Sequence, residues 1–294
     1  MRHVDAGESL WLAARSMLIE RGGDLFRRWK AVGTGFGMDE IHDLRVSSRR
    51  LREALSLFAP CFADKRVRRF RAKVKRLTVI LGTMRNTDEA LLFFVPLVDQ
   101  LHEQAAAAIA GLVNVLEQER ETERQTLHQQ LKELSPAGLH RQFLDLCNSP
   151  QLFGSNIDPL CPIVDFLKER LAEREAALLA LVPEARAEAD VTDQHRLRIA
   201  VKHFRYRFEL CAPLAGEGFR DILESMKRYQ EVLGKMHDLD VFAGLVSERI
   251  NAPDAGGPVL SEIAGRRHDL FLTFLALLDQ TPPEALAARI RSIL

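Results

Sequence analysis

Two stretches of this sequence carry protonatable and cationic side chains at one spacing, 153 residues apart. The first runs His42, Arg45, Arg49, Arg52 and the second His195, Arg198, Lys202, Arg205. The interval i, i+3, i+7, i+10 sets four such groups within an arc of about 80° on one helix. Guanidinium groups offer forked donors to phosphate oxygens, and ammonium groups offer mobile point charges. One stripe of such groups suits a polyanion with closely repeated charge. A histidine at the head of each stripe can donate to an anion, become more cationic beside it, and so tighten binding as pH falls.

The elements that must position these groups are legible on the opposite face. Leu44, Ser47, Leu51, Leu55 and Phe58 lie about 180° from the first stripe, and Leu197, Ala200, Phe204, Phe208 and Cys211 from the second. Each basic helix therefore turns its cations away from a core. A second repeated segment follows at an offset of 152: Val74–Gly82 and Met226–Gly234, each with Met two residues on (Met84, Met236) and Asp six residues on (Asp88, Asp240). It brings Arg68, Lys75 and Arg76, matched by Arg220, Lys227 and Arg228, while Arg69 and Lys73 strengthen the first copy alone. Two facing cationic walls follow, the first the stronger.

The chain has 294 residues, 47% hydrophobic and 7% aromatic, and no net charge. That zero hides segregation. Residues 42–76 carry a surplus of nine positive charges and residues 195–228 a surplus of four, on an otherwise acidic body. Abundant Leu, Ala, Arg and Glu, with no convincing alternating segment, predict an all-α protein. Helices are expected near 8–31, 39–59, 64–84, 88–134 with a break, 137–147, 160–182, 191–212, 217–234, 239–249, 258–279 and 283–292. Breaks are expected at Gly33–Gly37, Ser135-Pro136, Asn148–Asp158, Ala212-Pro213, Ala252–Pro258 and Pro282-Pro283. An apolar N-terminal pattern also repeats, with Leu10, Ala14, Leu18, Leu25, Phe26 and Trp29 matching Ile163, Leu167, Leu171, Leu178, Leu179 and Val182. The reading is one unit over 1–294, built by internal duplication of residues 1–150 and 155–294 into two four-helix bundles in pseudo-twofold relation.

Other chemistry finds little support in the residues. Gly33-x-Gly35-x-Gly37 follows a helix rather than a strand, so it reads as a linker and not a nucleotide turn. His237-Asp238-Leu239-Asp240 looks metal-like, but an acidic helix N-cap, or a carboxylate paired with a nearby Arg, explains it at lower cost. No metal, cofactor or catalytic residue is expected. Cys61, Cys147, Cys161 and Cys211 lack metal or redox spacing and read as reduced, part-buried thiols of a cytoplasmic protein. No apolar run approaches the roughly 20 residues of a membrane span.

His42-Asp-Leu-Arg45-(x)3-Arg49-Arg50-Leu51-Arg52, His195-Arg-Leu-Arg198-(x)3-Lys202-His203-Phe204-Arg205-Tyr206 and the Leu-Gly-(x)5-Asp segments at Leu81–Asp88 and Leu233–Asp240 together resemble the CHAD family, the conserved-histidine α-helical domains. The resemblance covers nearly the whole chain. It implies two four-helix bundles and non-catalytic binding of inorganic polyphosphate on a basic central surface, often at polyphosphate granules. Lys202 stands where that pattern has an Arg-like residue. Two other readings remain: an RNA- or DNA-backbone binder, and an enzyme acting on phosphoanhydrides. The basic helices carry almost no interleaved aromatics except Tyr206, and single-stranded nucleic-acid binders usually add stacking platforms. The oligomeric state is not legible.

Overall fold

The computed structural model describes residues 4–151, 157–250 and 253–294. Among these the regular structure is helical: α1 (Leu10–Gly35), α2 (Met38–Leu57), α3 (Asp64–Leu97), α4 (Glu103–Glu133), α5 (Pro136–Cys147), α6 (Ile163–Leu179), α7 (Val191–Phe208), α8 (Phe219–Arg249), α9 (Pro253–Gln280) and α10 (Pro283–Ile293), with four short 3-10 turns. The extended pairing found among the described residues is two isolated bridges, Ser9 with Pro162 and Phe62 with Pro150. The all-α expectation holds.

Several boundaries move, for identifiable reasons. The breaks expected at 85–87 and 235–238 do not occur: α3 and α8 run through them. In both, the polar residues that looked like stop signals face neighbouring helices. Asp88 is fully buried and accepts from Arg120 Nε of α4 at 2.7 Å, and Asp240 accepts from Arg267 Nε of α9 at 2.6 Å. An acidic N-cap at 238 or 240 is thus excluded, and the pairing with an Arg is what the chain adopts for Asp240. The glycine-rich linker shortens to Phe36-Gly37, because α1 continues to Gly35. Pro136 and Pro283 open their helices, where a missing N–H costs nothing. Of the predicted breaks, part of Asn148–Asp158 and Ala252 lie outside the described residues.

The helix count and the core add detail to the two-bundle expectation. Each half supplies five helices, and the core does not divide between the halves. The larger cluster joins Leu18, Leu25, Leu44, Leu51, Phe58, Leu77 and Phe143 to Phe166, Leu197, Phe204, Phe208, Met226 and Phe274. The smaller is built from the far ends of α3 and α4 with those of α8 and α9, around Phe94, Ile109, Phe242, Val246, Val259 and Ile263. Long helices carry each half past the first core into a second, shared one. At the start of the halves, Leu10 N donates to Cys161 O at 2.8 Å and Ile163 N to Glu8 O at 3.0 Å. At an offset of 153 residues these are one contact made twice.

Leu44, Leu51 and Leu55 of α2 are almost wholly buried, worth roughly 1.5–3 kcal/mol each. This anchors the helix with its opposite stripe facing out of the core. Against α3, Ser48 Oγ and Thr78 Oγ1 meet at 2.9 Å. α1 and α5 approach so closely at Gly22 that a Cβ there would stand 2.2 Å from the Phe143 ring.

Candidate functional site

α2 and α7 pack against each other, and the basic stripes converge there. Lys202 of α7 is half-buried, and its ammonium is pushed down to about 7, first by burial and then by Arg49, Arg198, Arg45 and Arg52. Arg45 is lowered to about 10 by burial, followed by Arg49, with Arg85 and Arg198 adding to the effect. Arg52 is lowered by burial, then by Arg49 and Arg71, and Arg198 by burial, with Arg49 adding. Cations from three positions on α2 and two on α7 therefore feel each other directly. Among the described residues, Arg45, Arg49, Arg52, Arg198 and Lys202 take part in no ion pair, and the Nε atoms of Arg45 and Arg198 are buried without a hydrogen-bond partner. Gly82 places α3 beside the cluster: a Cβ there would stand 3.7 Å from Arg45 Nε, an ordinary contact distance.

Carboxylates are present nearby but are spent on other cations. Glu53 accepts from His203 Nδ1 at 2.6 Å and from Arg207 Nε at 2.7 Å. Burial would raise its carboxyl, yet those two donors hold it down at about 2. Glu209 accepts from Arg50 Nε at 2.8 Å and also pairs with Arg205. Both acids are at most 7% exposed, and each crosses between the halves. They tie α2 to α7 and to the turn that follows it. Removing one side of such a buried pair costs several kcal/mol, about 3–5.

Not every expected residue reaches the cluster. Arg205 is 5% exposed and held by Glu209 and by Gln230 Oε1 at 2.8 Å, so it is structural. The cause is its place on α7, where the stripe turns under α8. Arg68 pairs with Asp64 along α3. Arg69 borders a shallow hollow shared with α5, Lys73 donates to Gln142 of α5, and Arg76 pairs with Glu133 of α4. These last three lie on the far flank of α3 from α2. Lys75 is exposed and shares its helical face with Arg71 and Gly82, toward α2. On α8, Arg220, Lys227 and Arg228 are exposed, and Lys227 is engaged by Glu224.

Burial and neighbouring cations disfavour the protonated form of His42 and His195. His42 is lowered by burial and then by Arg85; His195 by burial and then by Arg198. His195 and His237 bring their Nδ1 atoms to 3.1 Å, which requires one to donate and the other to accept. His237 falls to about 4 through burial and then Arg198. Neither His42 nor His195 caps its helix; each sits one turn inside.

Sequence reasoning missed Arg71 and Arg85, and weighed His237 and Asp238 as a metal site, a cap or an Arg partner and not as neighbours of the binding cluster. Arg71 and Arg85 lie 14 residues apart with Lys75 and Gly82 between them on one face of α3, a stripe that periodicity could have found. Asp238 lies at one end of the cluster, raised to about 6 by burial and then by Glu89, against the pull of Arg198, Arg85 and Arg45. Arg85 is engaged by Glu89. No group of three or more metal-ligating side chains gathers among the described residues, and no described helix is long and apolar enough to cross a membrane.

Comparison with known proteins agrees with this architecture. The crystal structure of the CHAD domain from the plant Ricinus communis superposes with a TM-score of 0.66 at 23% identity, covering 99% of this chain and 94% of that one. PptA from Streptomyces chartreusis gives 0.65 at 14% identity, covering 92% and 99%. No curated protein matches the sequence. The CHAD domain model matches residues 17–247, a span that takes in both His-headed helices. By that match, the chain belongs to the CHAD family.

Proposed function

We propose that the protein binds inorganic polyphosphate, without turning it over, on the cations gathered between α2 and α7. The observation that carries this reading is the set of five cations without an ion pair, Arg45, Arg49, Arg52, Arg198 and Lys202, in which Arg49 depresses each of the other four. Empty, that arrangement is repulsive and partly desolvated, and both costs fall when an anion enters. A chain with one charge per short repeat can meet all five at once. Family membership supports the same reading.

Base-free polyanions fit better than nucleic acid. Tyr206, the one aromatic that interrupts the basic stripes, is 4% exposed, and the Arg205 guanidinium lies 4.7 Å from its ring centroid. It offers no free face for a base, and stacking is worth about 1–3 kcal/mol per base in single-strand binders.

The test is competition between polyphosphate of defined length and single-stranded RNA of equal charge, across a salt series. Polyphosphate should displace RNA, and its affinity should fall with a log–log slope of about −3 to −4, as expected for about five displaced counterions. Stronger displacement by RNA would reverse the assignment. No phosphate should be released, with or without a divalent metal; turnover abolished by His42→Ala would replace binding with catalysis. On this reading the protein collects wherever long polyphosphate accumulates in the cell, granules included.

A further inference from the structure

A second concave site lies away from the basic cluster, between α1, α4 and α5, and its chemistry is different. The cavity measures about 440 Å³ and is walled by aromatic rings. Phe26 and Trp29 lie nearly parallel, 6° between planes. His140 stands 4.4 Å from Phe26, and His128 meets Phe36 edge-on at 5.5 Å. Lys30 from α1 and Lys132 from α4 also line the cavity and are exposed, and no carboxylate lines it among the described residues. Neither lysine forms an ion pair among the described residues.

Two independent features set this space apart. Phe36 is a bulky residue in the left-handed region, φ 51° and ψ 35°, a conformation that costs on the order of 1–3 kcal/mol. That conformation ends α1 and sets the ring against the cavity, 8% exposed. In the second half, the positions matching Phe26, Trp29 and Lys30 hold Leu179, Val182 and Pro183, so rings and charge are peculiar to the first half.

We propose that this cavity binds a planar aromatic ligand bearing a dianionic phosphate, the chemistry of a nucleoside monophosphate. Phe26, half-buried, and the exposed His128 and His140 offer ring surface to the flat moiety, backed by the buried Trp29 and Phe36, and the volume falls within the roughly 300–1,000 Å³ usual for small-molecule sites. The two lysines, with His128 and His140 as donors, meet the phosphate at the rim. The site is distinct from the polyphosphate cluster, so the two readings fail separately.

The experiment is calorimetric titration of the full chain with AMP, adenosine and inorganic phosphate, with Trp29 fluorescence as a second readout. AMP should bind, and adenosine and phosphate should each bind at least about tenfold more weakly, since each lacks one half of the recognition. Lys30→Ala with Lys132→Ala, both exposed and safe for folding, should weaken AMP about tenfold and leave polyphosphate affinity unchanged. Arg45→Glu with Arg49→Glu should do the reverse. Phe36→Ala should also weaken AMP while circular dichroism stays helical. AMP binding that vanishes with the arginine variant would assign it to the basic cluster and overturn the proposal, as would equal affinity for AMP and phosphate, or none for AMP.

Discussion

The two basic stripes have the same spacing and different fates. On α2, Arg45, Arg49 and Arg52 all remain unpaired, and α3 adds Arg71 and Arg85 beside them. On α7, only Arg198 and Lys202 remain, because Arg205 is drawn into Glu209 and Gln230. The positions of α8 that match Arg71 and Arg85 hold Leu223 and His237. A repeated pattern thus yields one open cationic wall and one wall that is partly structural. What decides each position is where the nearest carboxylate lies, not the charge of the residue itself.

The largest expected effect separates the walls. Arg45→Glu with Arg49→Glu should cost about 100-fold in polyphosphate affinity with helicity intact, and Arg198→Glu with Lys202→Glu about 20-fold. Isothermal titration at fixed salt checks the order; equal or reversed losses would break the asymmetry. Next is Arg205→Met. It should lower unfolding free energy by about 2 kcal/mol, softened because Glu209 keeps Arg50, while affinity changes by about threefold or less. A large affinity loss with unchanged denaturant midpoint would return Arg205 to the binding surface.

Smaller still is a pH effect centred on Lys202. Its pKa of about 7 in the free protein must rise when an anion binds, so binding takes up a proton. The added affinity is complete below pH 7 and fades as pH climbs from 7 toward the bound pKa, by up to about tenfold per unit. Lys202→Met should flatten that slope and, by removing a buried cation among cations, stabilise the fold by roughly 1–2 kcal/mol. A slope that persists in Lys202→Met would move the titration to another group.

Much of this was legible in the sequence. The i, i+3, i+7, i+10 stripe with apolar residues opposite specified two helices and the direction of their cations, because helical periodicity is local. The continuity of α3 and α8 was not legible. Gly82, Asn86 and Thr87 look like a stop in isolation, and only the arrival of Arg120 on α4 makes Asp88 a mid-helix residue. The diversion of Arg69, Lys73 and Arg76 to Gln142, Glu133 and the α5 face likewise depends on helices that sequence spacing cannot place. Arg205 and Glu209 are four residues apart and could have been paired by eye, but their burial follows from packing under α8. The second, smaller core was hidden for the same reason: it forms where the far ends of four long helices meet.

The central claim is that position relative to the α2–α7 seam, and not charge alone, makes the binding site. Arg49→Glu and Arg69→Glu change net charge identically, one at the seam and one on the α5 flank of α3. Titrated with the same polyphosphate at the same salt, Arg49→Glu should lose about 30-fold in affinity and Arg69→Glu about threefold or less. Equal losses in the two variants would show that diffuse positive charge does the binding, and would contradict the account.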